Sequence, residues 1–156
     1  MYESNGAQAY SHAQKAYAFL QQEQYGEALK EYNEALRLDG DDYTSYYSRG
    51  VCLYYLHRPD EAYADMRQVI ARKREYPEAY RLMASIDMDR ENYENALEEI
   101  NYFVKIDPQE SEGYYMRALI YWKKGQRNEA LDDAQRSCNL GSQKACELHE
   151  QIKRKG

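Results

Sequence analysis

The sequence predicts an all-α solenoid, a superhelix of four helix-turn-helix units closed by a C-terminal helix, and three observations carry that expectation. One short string recurs: Tyr25-Gly26-Glu27-Ala28-Leu29, Pro59-Asp60-Glu61-Ala62-Tyr63, Tyr93-Glu94-Asn95-Ala96-Leu97 and Arg127-Asn128-Glu129-Ala130-Leu131. Its alanines stand at 28, 62, 96 and 130, a period of 34 residues without slippage, and periods of this length mark repeat architectures. Apolar residues within each period recur at helical spacing. Finally, 156 residues hold only 8 Gly and 3 Pro, which excludes a turn-rich sandwich, a collagen-like chain or a low-complexity linker.

Running the frame outward gives an N-terminal extension at 1–8, units at 9–42, 43–76, 77–110 and 111–144, and a capping helix with a basic tail at 145–156. The extension either lengthens the first helix or frays. In the first unit, Ala16 and Ala28 place one small residue on each of two helices. In the second, Tyr46, Leu53 and Leu56 share a face around Gly50, and His57-Arg58-Pro59 turns the chain. Pro59 suits the first turn of the next helix, where a missing N–H is no loss; Ala62, Met66, Val69 and Ile70 then follow. Ala84 and Ala96 mark the same slots in the third unit. The fourth has Tyr114, Ala118, Tyr121 and Trp122, a break at Lys124-Gly125-Gln126, then Ala130, Leu131, Ala134 and Leu140. Small side chains at fixed places let paired helix backbones approach. Ala145, Leu148, Gln151 and Ile152 continue as an amphipathic cap over the last repeat, and Lys153-Arg154-Lys155 complement its negative end.

These residues resemble the tetratricopeptide repeat (TPR) family over 136 of 156 residues. The resemblance implies a right-handed α-α superhelix of TPR units. The family's aromatic slot holds Tyr46, Tyr80 and Tyr114, but His12 in the first unit. Its closing proline survives only as Pro108, with Gly40, Arg74 and Ser142 elsewhere. The tyrosine slot reads Phe19, Leu53, Asp87 and Tyr121, so Asp87 is a polar intrusion. The leucine of the Leu-Gly pair is replaced by Lys15, Arg49, Met83 and Arg117. Sixteen residues after each stands an acid: Glu31, Asp65, Glu99 and Asp133. This predicts Arg49–Asp65 and Arg117–Asp133 clasps with packed aliphatic stems, a weaker Lys15–Glu31 pair, and no such partner for Glu99; the rival role for these arginines is ligand binding.

Several function classes lose ground at once. A net charge of −6 and a pI near 5.2 disfavour nucleic-acid binding, which rests on Lys and Arg neutralising phosphates. No apolar run is long enough to insert into a membrane. Met1–Gly6 lacks the basic and apolar regions of a signal peptide, which points to the cytoplasm; a signal removed upstream leaves a periplasmic or secreted location open. Three cysteines without close pairing favour reduced, helix-packing thiols. Cys138, Cys146 and His149 cluster, yet their spacing is not that of a zinc site. No HExxH helix, phosphate loop or nucleophile elbow occurs, so neither enzyme activity, metal nor cofactor is expected.

What remains is the face of the first helices opposite their packing stripe. In the family this concave face holds peptides. Here it gathers Tyr10 and Tyr17 in unit one, and Tyr47, Tyr54 and Tyr55 in unit two. Arg81 and Met88 lie on it in unit three, and Tyr115, Met116, Trp122 and Lys123 in unit four. Of the chain's 18 tyrosines, Tyr25, Tyr32, Tyr46, Tyr80, Tyr93, Tyr114 and Tyr121 fall in packing slots. Tyr2, Tyr43, Tyr63, Tyr76 and Tyr102 fall outside both groups. Tyr and Trp give broad, rigid contact area with a polar handle. A surface rich in them reads as a non-catalytic groove for a partner protein's peptide segment. The chaperone carboxylate clamp of the family is missing: its positions hold Ala13 and Tyr17, Ser48, then Glu78 and Leu82. One unit later they hold Tyr47 and Val51, Leu82, then Glu112 and Met116. The alternatives are a self-associating (homo-oligomeric) scaffold and a docking domain of a larger protein.

Overall fold

The computed structural model describes residues 4–156. Among the described residues there are nine α-helices and no strand: α1 Asn5–Gln21, α2 Tyr25–Leu38, α3 Tyr43–Tyr55, α4 Pro59–Arg72, α5 Pro77–Asp89, α6 Tyr93–Ile106, α7 Ser111–Lys123, α8 Arg127–Asn139 and α9 Gln143–Arg154. The starts of α2, α4, α6 and α8 keep the period read from the alanines. Residues 5–8 form the opening of α1, capped by the Ser4 hydroxyl accepting from the Ala7 N–H at 3.2 Å. The helices gather into two compact units, one up to Leu82 and the other from Met83.

In the first unit α1 packs on α2, α3 on α4, and α2 on α3. Ala16, Ala28, Tyr32 and Cys52 form one buried cluster there, with Phe19, Leu20, Tyr25 and Leu29 against it. Gly50 is needed for the α3–α4 approach: a Cβ on it would sit 3.3 Å from the Ala62 carbonyl and collide with the Met66 methyl. In the second unit α6 packs on α7, α7 on α8 and α8 on α9. Ala118, Ala130, Ala134, Leu148 and Ile152 form the core that the closing helix covers.

All four hairpin turns are built alike. Glu23, His57, Glu91 and Gly125 occupy the left-handed region, with φ of 57°, 60°, 61° and 79°. The following N–H then reaches back to Phe19, Leu53, Asp87 or Tyr121 at 2.8–2.9 Å, the six-to-one bond of a Schellman ending. Asp87 is therefore more than an intrusion. It supplies that carbonyl and also accepts from the Asn92 side chain at 3.3 Å.

The two predicted arginine clasps are present, and each is larger than the sequence suggested. Arg49 donates to Asp65 through Nε (2.9 Å) and Nη2 (2.7 Å), and through Nη1 to Asn33 at 3.2 Å. Arg117 repeats this on Asp133 (2.7 and 2.9 Å) and Asn101 (3.0 Å). Lys15 does not pair with Glu31: the carboxylate lies 2.6 Å from the His12 imidazole, because the residue in the aromatic slot reaches it first and Lys15 points to solvent. The aromatic slot otherwise hooks backbone. The hydroxyls of Tyr46, Tyr80 and Tyr114 donate to the carbonyls of Gly40 (3.1 Å), Arg74 (3.1 Å) and Pro108 (2.8 Å). Any residue offers that carbonyl, which is why the closing proline is dispensable.

The cysteine expectation is corrected as well. Cys138 and Cys146 are joined in a disulfide, with Cα atoms 4.7 Å apart. The turn at Gly141, φ 103°, folds α9 straight back along α8, so two cysteines eight residues apart in sequence come within bonding reach. Only Cys52 is a free thiol among the described residues, and burial pushes its pKa up to about 11.

Candidate functional site

The expected binding residues fall into separate local groups. Tyr10 and Tyr17 are 68% and 54% exposed, large rings standing free on α1. With Ala13 and Gln14 they form one wall of a groove of about 360 Å³. Thr44, Ser45 and Ser48 of α3 form the other wall, and Tyr32 of α2 reaches its floor. The groove exists because α1 touches α3 only lightly, while α2 fills the space behind both.

Asp42 is the single charged residue lining it. This carboxylate caps α3, accepting from the Thr44 N–H (3.1 Å), the Thr44 hydroxyl (2.6 Å) and the Ser45 hydroxyl (2.6 Å). Burial alone would raise its pKa, but those hydroxyl and N–H bonds outweigh the burial and hold it below the usual aspartate value. Burial raises the Tyr32 hydroxyl pKa, against a hydrogen bond from Ser48 that lowers it.

Tyr47, Tyr54 and Tyr55 lie elsewhere on α3. Tyr47 packs edge-on against Tyr76, with ring centroids 5.4 Å apart, and Tyr76 meets Tyr43 in the same way at 5.8 Å. Burial raises both the Tyr47 and Tyr76 hydroxyls, Tyr76 to about 12. Arg81 hydrogen-bonds the Tyr47 hydroxyl and counters part of that rise. Tyr55, 54% exposed, stacks on Tyr25 at 4.7 Å and touches Tyr54 edge-on. The tyrosines that sequence reasoning left unexplained, Tyr43 and Tyr76, thus belong to an aromatic cluster, and neither repeat slot nor period marked them. Tyr63 and Tyr102 lie under Arg67 and Lys105, and Tyr2 is outside the described residues.

In the second unit Met88 is half-buried and Lys123 exposed. Tyr115 carries the Lys144 ammonium 4.4 Å from its ring centre, and Lys144 also pairs with Glu112 at 2.8 Å. Trp122 packs half-buried on the core beneath α9. Met116, expected on the open face, is only 6% exposed: the helix turns it inward, into the packing.

Models of the tetratricopeptide repeat match residues 16–56, 53–111 and 111–140. The chain belongs to the tetratricopeptide repeat family. Its TPR segment is 28% identical over 99 residues to the Hsp70-Hsp90 organizing protein of Triticum aestivum, covering 64% of this chain but 17% of that protein. The chain thus spans about a sixth of that relative's length. Among solved structures, MamA from Desulfovibrio magneticus RS-1 superposes with a TM-score of 0.88 at 19% identity, over 97% of this chain and 87% of that one. The first TPR of Spaghetti, bound to the HSP90 peptide SRMEEVD, superposes with a TM-score of 0.74 at 18% identity, over 78% and 97%. At these identities the likeness shows the fold, an all-α TPR solenoid. Among the described residues no helix is long and apolar enough to cross a membrane, and no group of three His, Cys, Asp or Glu is placed to hold a metal ion.

Proposed function

We propose that this TPR chain is a non-catalytic protein–protein interaction module. It takes a peptide segment of a partner against the α1–α3 face of its first unit. The observation that carries the reading is the pair of bare rings, Tyr10 and Tyr17, flanking a groove of about 360 Å³ with a hydroxyl-lined far wall. Exposed aromatic surface of this kind is the usual substance of interface hot spots. The solved relative that holds SRMEEVD supports peptide capture by this fold. The absence of Lys and Arg from this groove supports a different ligand chemistry here, one that does not depend on clamping a carboxylate. Tyr47, Tyr54, Tyr55 and Arg81 would extend the contact along α3 and α5, while Met88, Tyr115, Trp122 and Lys123 serve the second unit. The Cys138–Cys146 bond supports an oxidising working environment, where disulfides persist.

The test is selection of a random-peptide display library on the full chain, repeated on a Tyr10→Ala/Tyr17→Ala variant. Both residues are exposed, so circular dichroism should report an unchanged helix content. Peptides enriched on the parent and lost on the variant are the expected result. Enrichment that survives the double substitution refutes the groove.

A further inference from the structure

We propose that the α1–α3 groove takes a proline-rich segment in the polyproline II conformation, free of acidic residues and carrying a Lys or Arg that sits at Asp42. This deepens the peptide-binding reading and rests on it. The first argument is spacing. Tyr10 and Tyr17 are seven residues apart on one face of α1, two helical turns or about 10.5 Å. A polyproline II helix repeats every three residues, about 9.3 Å, so successive prolines on one edge meet successive tyrosine rings. Aromatic-lined grooves receive such helices because ring stacks on ring and the ligand arrives already ordered.

The second argument is polarity. A polyproline helix makes no internal hydrogen bonds and presents bare carbonyls. Gln14, one turn from Tyr10 on the same wall, offers an amide donor between the two rings, and the tyrosine hydroxyls add two more. An amphipathic helical ligand would need an aliphatic floor instead, whereas Ala13 is the one aliphatic side chain in the lining. A β-strand ligand would need an open sheet edge, and the described residues contain no strand.

The third argument is charge. Asp42 is the only ionic group in the groove. Its bonds to Thr44 and Ser45 keep it ionised, half-exposed in the groove lining. It attracts a basic ligand residue and repels an acidic one.

The probe is a labelled decaproline with an N-terminal Arg, titrated into the full chain and followed by fluorescence anisotropy. Two control peptides accompany it: decaproline capped with Glu, and an Arg-capped Gly-Ser peptide of equal length. Binding of the Arg-capped decaproline about tenfold tighter than the Gly-Ser control, and lost about tenfold on Tyr17→Ala, is the expected result. Moving the charge from Arg to Glu should weaken it by about threefold at low salt, less at high salt. Decaproline that binds no better than the Gly-Ser peptide overturns the proposal. If library peptides are then still lost on Tyr10→Ala/Tyr17→Ala, the groove reading stands and only the proline chemistry fails. If they are not lost, both fall.

Discussion

The Arg49–Asp65 clasp offers a measurable test of how the hairpins are held. Asp65 is only 4% exposed, and Arg49 gives it two charge-assisted bonds at 2.9 and 2.7 Å. Arg49→Met is the informative change, because Met83 occupies the equivalent slot of the third repeat and shows that a thioether fits there. It removes the cation while keeping most of the apolar stem, leaving a buried carboxylate without its ion partner. Losing one member of a buried pair costs about 3–5 kcal/mol. Methionine burial returns some of this, so a net loss of about 3 kcal/mol is expected, or about 6–12 °C in Tm for a chain of this size. Urea unfolding followed by far-UV circular dichroism reads it. Arg49→Met/Asp65→Leu should recover most of the loss, because an apolar pair of similar volume replaces a buried ion pair at little net cost. An Arg49→Met variant within about 1 kcal/mol of the parent, or a double variant no better than the single, would refute the clasp as a stabilising pair.

Three further outcomes are expected. His57→Gly should stabilise the chain by about 0.5–1 kcal/mol, since a left-handed residue with a Cβ is strained by about 1–2 kcal/mol and glycine's extra chain entropy takes back part of the gain; a lower Tm would contradict it. Asp42→Asn should be less stable than the parent by a constant margin above about pH 5, shrinking as pH falls below about 4. The sign follows from the folded-state pKa lying below the unfolded one: the contribution is present above the unfolded pKa and lost as pH falls through the folded pKa. Denaturant curves of both proteins across that range measure the margin, and a pH-independent gap would contradict the assignment. Reductant should lower the parent's stability by about 2–3 kcal/mol through loss of the Cys138–Cys146 loop constraint, and leave Cys146→Ser unmoved in the same melts.

How much of this was written in the sequence depends on what each feature needs. The helix pairs and their starts were legible from the alanines at period 34, because small residues are required wherever two backbones approach. The arginine clasps were legible from a fixed offset to an acid. Their third contact, to Asn33 or Asn101, was not, because asparagine is an unremarkable residue on an exposed helix face. The Lys15–Glu31 expectation failed because it treated the offset alone as decisive and overlooked His12, one turn away on α1. The disulfide was hidden by sequence separation, which reports on reach only once the turn at Gly141 is known. Within the candidate site, Tyr10 and Tyr17 were found by face arithmetic. Asp42 was missed because its charge enters the groove from a helix cap, off the face being counted.

The tyrosine hooks and the arginine rungs share a property of length. Each bond spans a fixed number of residues: six back from Tyr46, Tyr80 and Tyr114, and sixteen either way from Arg49 and Arg117. Adding or removing a whole 34-residue segment keeps each tyrosine hook and each Arg–Asp bond in register, whereas an insertion of one or two residues between the partners strands both ends. Such a chain has a quantum of growth. Tandem duplication can lengthen it while the hooks and the Arg–Asp rungs keep their partners, and small slips within a copy are punished at once.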